Sequence, residues 1–177
     1  MNYNNKYILS KSKNIKAILT DIDGVLTNGK LYYQEQSDNT VTISKTFSVK
    51  DGQLVKHIKS QGIILGAITG RSDKVAEIRI VEHLKFDFYR HGSKNKIEDY
   101  NDFKKQYNLK DEEIVYIGDD LIDLEVLRLV GLSICPKDSI ELLKSEVDYV
   151  SLYNGGDGVF REAIDILLIS NNKEIEF

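Results

Sequence analysis

The sequence predicts a three-layer, Rossmann-like α/β fold with a mainly parallel central sheet and a small β-hairpin insertion. Strand-like apolar runs alternate with helix-like segments along almost the whole chain, an order that favours parallel strands joined by right-handed crossovers. The run Ile63–Ile68 is continuously apolar, as expected for a strand covered on both faces. Residues 29–47 instead carry β-branched and aromatic side chains around a polar tip, which predicts a hairpin.

The strands are predicted from short apolar or β-branched runs bounded by polar residues. In chain order they are Ile15–Leu19, the hairpin arms Lys30–Gln34 and Thr40–Phe47, Ile63–Ile68, Phe86–Tyr89, Ile114–Ile117, Leu132–Cys135 and Val147–Val150.

The helices are predicted from apolar residues at helical spacing and from their end signals. A helix begins at Asp51 and stops at Gly62, and Ser72 is the expected N-cap of the next one. The remaining helices end at a glycine or a polar turn. After the first, the expected helices are Asp73–Leu84, Lys94–Tyr107, Leu121–Val130, Ser139–Lys144 and a last one running from the Gly155–Gly158 loop through Leu168.

Composition narrows the class of protein. The 177 residues suit a single domain over 1–177, with a polar tail at 171–177. A net charge of −4 and a pI near 5.5 argue against a nucleic-acid partner. Cys135 is the single cysteine, which excludes an intrachain disulfide. No apolar stretch has the length of a signal or a membrane span, so we expect a cytoplasmic protein without a membrane partner.

Polar residues follow three of the predicted strands. Asp21 and Asp23 follow the first strand, Thr69 follows Ile63–Ile68, and Asp119 follows Ile114–Ile117. Because ligands bind beyond the carboxyl ends of parallel strands, these groups should converge at one sheet edge. Lys96, at the start of a predicted helix, lies between the second and third of these positions in sequence.

These residue types suit phosphoryl transfer assisted by a hard metal ion. One carboxylate can attack phosphorus, and a second carboxyl group can protonate the leaving alkoxide and later activate water. Asp21 and Asp119 offer the oxygen ligands that Mg²⁺ prefers. Lys96 and the Thr69 hydroxyl can bind the transferred group. Asp123, with Asp120 beside it, is placed to orient Lys96 or a metal-bound water.

Each piece alone has a simpler interpretation. Asp-x-Asp-Gly after a strand is often only a turn, Thr69-Gly70 is a loop start, Lys96 is one helix lysine among many, and Asp120 can serve only to cap a helix. The order of the pieces, and the strand before three of them, favour the functional interpretation.

The four motifs resemble those of the haloacid dehalogenase superfamily of phosphohydrolases, with a match from about Ile15 to Ala163. Within it, the sequence is most similar to the 3-deoxy-D-manno-octulosonate 8-phosphate (Kdo 8-phosphate) phosphatase family. The stretches that carry this similarity are Asp23–Gly29, Phe47–Gly52, Ile68–Arg71, Tyr116–Asp123 and Gly155–Glu162.

The resemblance implies a Mg²⁺-dependent phosphatase without a cap domain, acting through an aspartyl-phosphate in lipopolysaccharide precursor synthesis. It implies Asp21 as nucleophile and Asp23 as acid/base, with the Asp23 backbone carbonyl on the metal. It also implies Asp119 as a metal ligand, with Thr69 and Lys96 on the phosphate. The hairpin is expected to build a homotetramer whose neighbouring subunits complete each active site, with Tyr32 and Tyr33 at a subunit contact.

The sequence defines the residues that would bind the sugar part of the substrate less well than those that would bind its phosphate. Arg71 can bind the carboxylate of a sugar acid, with Gly70 beside it and Arg79 as a further candidate, although Arg71 can equally pair with a local acid. Arg71 favours the eight-carbon sugar acid, and Gln53-Leu54 departs from the family pattern after Asp51-Gly52.

Three alternatives stay open. The substrate can be a nonulosonate 9-phosphate or another small sugar phosphate. The chain can be a phospho-accepting receiver-type signalling domain. The Gly155–Gly158 loop can cradle an anion or serve as a simple connection.

Overall fold

The computed structural model describes residues 5–171 of the chain, and a six-stranded sheet forms their centre. The strands are β1 Ala17–Thr20, β2 Tyr32–Glu35, β3 Val41–Ser44, β4 Ile64–Ile68, β5 Phe88–Arg90, β6 Ile114–Ile117, β7 Leu132–Cys135 and β8 Tyr149–Val150. The central sheet has the order β5-β4-β1-β6-β7-β8. All of its neighbouring strands pair in parallel, whereas β2 and β3 form a separate antiparallel hairpin. The predicted fold class is confirmed.

Helices cover both faces of the central sheet. They are α1 Lys6–Ser12, α2 Val55–Ser60, α3 Lys74–Glu77, α4 Lys96–Tyr107, α5 Leu124–Leu127, α6 Glu141–Lys144 and α7 Val159–Ser170. Buried residues of α1, α2, α3 and α7 belong to one core cluster, and those of α4, α5 and α6 belong to the other. The two clusters define the outer layers of a three-layer molecule.

Strand β1 shows why the apolar runs are continuous. Ile18 belongs to one core cluster, whereas Ala17 and Leu19 belong to the other, and all three are fully buried. Successive strand side chains point to opposite faces. A strand with helices on both sides therefore favours apolar residues, and the buried Thr20 at the end of β1 satisfies its hydroxyl by donating to the Asp21 carbonyl at 2.7 Å.

Several element boundaries differ from the prediction. Helix α1 was not predicted, because only Ile8 and Ser12 of its seven residues are buried and no apolar stripe marks it. The side chain of Asp73, rather than Ser72, caps α3 by accepting a hydrogen bond from the Ala76 backbone N–H. The chain then continues as a π-helix over Ile78–His83. Residues 172–177 of the predicted tail lie outside the described residues.

The hairpin stands out from the sheet, since all eight residues of its two strands are exposed. Tyr33 pairs with Ile43 across the strands, and their residues are 67 % and 51 % exposed. Among residues 5–171, no helix has the length and apolar character to cross a bilayer.

The order in which the chain adds strands to the sheet reverses at β1. The chain runs from β1 outward to β4 and β5, then crosses back to β6 on the other side of β1 and continues to β7 and β8. Such a reversal opens a crevice at the carboxyl ends of the central strands. The residues that follow β1, β4 and β6 meet there.

Candidate active site

Four charged side chains meet at this crevice. Lys96, at the first turn of α4, places its Nζ 3.0 Å from Asp21 Oδ2 and 2.7 Å from Asp123 Oδ1. Asp21, Asp119 and Asp123 offer carboxylate oxygens that lie within 4.8 Å of one another. Asp21 and Lys96 are 4 % and 6 % exposed, so water screens these charges little. The structure thus brings together residues that are far apart in sequence.

Asp123 is held by hydrogen bonds on both oxygens. Its Oδ1 accepts from Lys96 Nζ and, at 2.6 Å, from the Tyr116 hydroxyl. Its Oδ2 accepts from the backbone N–H groups of Asp119 and Asp120 at 3.2 and 3.4 Å. Asp123 is thereby suited to orienting Lys96 and the Asp119 loop. Tyr116 was missed in the sequence because a strand tyrosine has the appearance of a core residue.

The electrostatics of the cluster fit a divalent cation. Burial, reinforced by the neighbouring carboxylates, raises the pKa of Asp119 to about 8. Burial also raises the pKa of Asp21, against the opposing effect of the Lys96 ammonium group. Burial works against a charged Lys96, but Asp21 and Asp123 overcome it and raise the pKa of Lys96. Three carboxylates face one ammonium group, so a hard cation bound between Asp21 and Asp119 would relieve the excess negative charge.

Asp23 lies in a second group of charges beside this cluster. Its Oδ1 is 2.6 Å from Lys45 Nζ, and its Oδ2 is 3.6 Å from Arg71 Nε. Lys45 Nζ also contacts Asp73 Oδ2 at 2.7 Å, and the Lys45 side chain is only 3 % exposed. Arg71 is exposed, so it pairs with a local acid while it still faces solvent. Lys45 was missed because it follows a hairpin strand and belongs to no motif.

The other predicted residues lie around these groups. Thr69 follows β4 and is 2 % exposed, and its hydroxyl accepts a hydrogen bond from the Arg71 backbone N–H at 3.3 Å. Gly70 is exposed between them. The Arg79 Nη2 donates to the Ser48 carbonyl at 2.9 Å. The Asp120 side chain accepts from the Leu121 N–H and caps the turn before α5.

Cavity geometry adds a place for a substrate beside Asp23. A cavity of about 350 Å³ is lined by residues of the hairpin region and of the segment leading into α3. The lining residues are Leu31, Ile43, Lys45, Arg71, Ser72, Asp73 and Val75. The cavity therefore presents two cationic side chains, Lys45 and Arg71, and several apolar side chains beside Asp23.

Two glycines allow the loop after β1 to pack between its neighbours. Gly24 has φ of +91°, and a Cβ there would lie 2.0 Å from Asp119 Oδ2. A Cβ on Gly155 would lie 1.9 Å from the Gly24 carbonyl oxygen. The Gly155 and Gly156 N–H groups donate to Asp138 Oδ1 and to the Val25 carbonyl at 2.8 and 2.9 Å. The Gly155–Gly158 loop therefore packs against the loop that follows Asp21, with these two amides already bonded within the chain.

Asp51 has a role that the sequence did not indicate. It is 2 % exposed, and its Oδ1 accepts a hydrogen bond from the Arg161 backbone N–H at 3.0 Å in the first turn of α7. Asp51 thus caps a helix that lies 110 residues further along the chain. Burial raises the pKa of Asp51 to about 6.

Comparison with known proteins agrees with this geometry. Residues 87–162 match the model of the haloacid dehalogenase-like hydrolase family. A 3-deoxy-D-manno-octulosonate 8-phosphate phosphatase of Salmonella typhi is 34 % identical over 167 residues, covering 94 % of this chain and 86 % of that protein. The chain belongs to the Kdo 8-phosphate phosphatase family of haloacid dehalogenase-like hydrolases. Its enzymatic class is therefore that of a phosphatase.

Solved structures of the same family share the fold. The phosphatase of Moraxella catarrhalis, in complex with magnesium, phosphate and KDO, matches with a TM-score of 0.86 and 32 % identity, covering 96 % of this chain and 94 % of that one. The cobalt-bound phosphatase of Haemophilus influenzae matches with a TM-score of 0.83 and 32 % identity, covering 92 % of each chain. Both relatives hold a divalent metal, which agrees with the acidic cluster of this chain.

Proposed function

We propose that this enzyme is a Mg²⁺-dependent phosphomonoesterase that releases phosphate from Kdo 8-phosphate through an aspartyl-phosphate on Asp21. The observation that carries the proposal is the convergence of Asp21, Asp119 and Lys96 at the end of β1, with Lys96 Nζ 3.0 Å from Asp21 Oδ2. The similarity to phosphatases of this named substrate supports it.

The residues divide the chemistry between them. An Asp21 carboxylate oxygen forms a bond to phosphorus as the ester P–O bond breaks, and Asp23 gives its proton to the leaving alkoxide. Water then attacks the aspartyl-phosphate while Asp23 accepts a proton, which frees Asp21 and releases phosphate. Lys96 and Thr69 bind the phosphoryl oxygens throughout. Mg²⁺ held by Asp21, Asp119 and the Asp23 backbone carbonyl would neutralise charge on the phosphoryl group.

The substrate assignment depends on Arg71. Its guanidinium group is exposed at the cavity beside Asp23, where a forked donor suits the carboxylate of a sugar acid. Arg79 is engaged by the Ser48 carbonyl, so it contributes less directly. We infer that the sugar acid lies in this cavity with its phosphate toward Asp21.

Phosphate release tests the proposal. With Mg²⁺, the wild-type enzyme should turn over Kdo 8-phosphate in preference to a nonulosonate 9-phosphate, and EDTA or Asp21→Asn should abolish release. Arg71→Met should raise KM for the sugar-acid phosphate more than for a phosphate ester without a carboxylate. Turnover that survives Asp21→Asn would refute the mechanism, and a preference for the nine-carbon ester would change the substrate.

A receiver-type role makes an opposite prediction. A receiver domain would accumulate a long-lived phosphoprotein without steady release of phosphate. Membership of a hydrolase family supports turnover instead.

The exposed hairpin supports assembly as a homotetramer. Tyr33, Val41 and Ile43 expose apolar side chains on one face of an antiparallel ribbon, and such a face is stabilised by burial against another subunit. Sedimentation of the wild type as a tetramer, and of Tyr33→Glu as smaller species, is the expected result.

We also propose that the enzyme serves lipopolysaccharide precursor synthesis in the cytoplasm, together with its phosphorylated substrate. Cell fractionation tests that location.

A further inference from the structure

We propose that Lys45 is a positioning residue for Asp23, holding one oxygen of its carboxyl group so that the other faces the phosphate ester. The inference rests on the acid/base role of Asp23 in the proposed function and adds a residue to it. It is carried by an ion-pair bridge through the buried ammonium group of Lys45, a residue outside the four sequence motifs.

The contacts of Asp23 divide its two oxygens. Oδ1 accepts a short hydrogen bond from Lys45 Nζ at 2.6 Å and a long one from the Thr27 hydroxyl at 3.5 Å. Oδ2 is buried and has no hydrogen-bond partner among the residues that the structure describes, with Arg71 Nε 3.6 Å away. Because Lys45 fixes Oδ1, rotation of the carboxyl group is restricted and Oδ2 is left to exchange a proton with the substrate.

Lys45 is itself held by a second acid. Its Nζ contacts Asp73 Oδ2 at 2.7 Å, while Asp73 Oδ1 accepts from the Ala76 N–H at the start of α3. The Lys45 side chain is 3 % exposed, so the ammonium group has little freedom to leave these partners. The Asp23 and Asp73 side chains are 20 % and 29 % exposed, so the buried partner is the Lys45 ammonium group, and removing it leaves the two acids without their shared cation.

The test compares two leaving groups, because a general acid matters only where the leaving group needs a proton. Nitrophenolate leaves p-nitrophenyl phosphate without protonation, whereas the alkoxide of glycerol 2-phosphate needs it. In Lys45→Met, kcat/KM for glycerol 2-phosphate should fall at least about tenfold further than kcat/KM for p-nitrophenyl phosphate, a fraction of the ~10²–10⁴ that general acid catalysis supplies. A loss of purely structural origin would affect both esters equally.

Two further variants complete the experiment. Lys11→Met removes a bridge of the same 2.6 Å length, to Asp148, which directly precedes β8. This control should leave the ratio of the two kcat/KM values, for glycerol 2-phosphate and p-nitrophenyl phosphate, unchanged. Asp73→Asn keeps an oxygen to cap α3 but weakens the anchor of Lys45. Asp73→Asn should shift the ratio of the two kcat/KM values in the same direction as Lys45→Met, by a smaller factor. If thermal unfolding shows that Lys45→Met does not fold, Asp73→Asn is used for the test in its place.

The outcomes are distinct from those of the proposed function. Failure to hydrolyse Kdo 8-phosphate would refute the substrate assignment while leaving the leaving-group comparison intact. Equal losses on both esters in Lys45→Met, or an unchanged kcat/KM for glycerol 2-phosphate, would overturn the role of Lys45.

Discussion

The buried cap Asp51 gives a stability prediction whose size follows from its pKa. Burial raises that pKa from 3.8 to about 6, so the folded state binds the proton more tightly than the unfolded chain. Below about pH 3 the carboxyl group is protonated in both states, and its stabilising contribution is complete. As the pH rises through about 6 the folded state must carry a buried carboxylate, and roughly 3 kcal/mol of that contribution is lost.

Asp51→Asn removes this titration while an amide oxygen remains for the Arg161 N–H. The free energy of unfolding of the variant, measured relative to the wild type by urea denaturation, should therefore rise by roughly 3 kcal/mol between about pH 3 and pH 7.5. Titration of other carboxyl groups affects both proteins and cancels in the difference. Asp51→Ala should show the same pH dependence as Asp51→Asn. Its free energy of unfolding should be about 1 kcal/mol lower than that of Asp51→Asn at every pH, because the helix cap is removed. A difference between Asn and wild type that does not change with pH would refute the argument.

Gly155→Ala and Asp123→Asn test the supports of the site, with Gly131→Ala as a control. Gly155→Ala should reduce kcat about 10²-fold, because its Cβ would displace the Gly24 carbonyl and the loop that carries Asp21 and Asp23. In Gly131→Ala the added Cβ would lie 2.3 Å from the Glu112 carbonyl oxygen, before β6 and β7 begin. This variant should have a lower melting temperature and an unchanged kcat. Equal losses of kcat in the two glycine variants would contradict the explanation. Asp123→Asn should cost about 10–100-fold in kcat/KM and weaken Mg²⁺ activation, since it loosens Lys96 and the loop before it; kinetics unchanged over a Mg²⁺ titration would argue against that role.

The fold was predictable because its signals are local. Each central strand is a short, mostly apolar run, and β1 is buried at all four of its positions, with Thr20 as its only polar residue. Asp21, Thr69 and Asp119 were predictable for the same reason, since each follows such a run and parallel strands bring their carboxyl ends together. The family resemblance then assigned roles that position alone could not.

The missed residues depend on distant partners. Lys45 acts on Asp23 and Asp73, which are 22 and 28 residues away, and Asp51 caps a helix 110 residues away. Nothing near a lysine or an aspartate in the sequence reveals such a partner. Helix α1 was missed because it buries only two of its residues, which leaves no periodic pattern.

The geometry also explains why the loop after β1 needs glycine on both sides. The Asp119 carboxylate reaches the space where a Gly24 Cβ would be, and the Gly24 carbonyl reaches the space where a Gly155 Cβ would be. The loop is thus held between the acid that follows β6 and the connection that precedes α7. The Gly155–Gly24 contact joins backbone to backbone, and the Gly24–Asp119 contact places the loop against the Asp119 side chain. Together the two contacts constrain the distance between Asp21 and Asp119. Substituting either glycine should therefore disturb the same distance, and the effects of Gly24→Ala and Gly155→Ala on metal affinity should be less than additive in a double-mutant cycle.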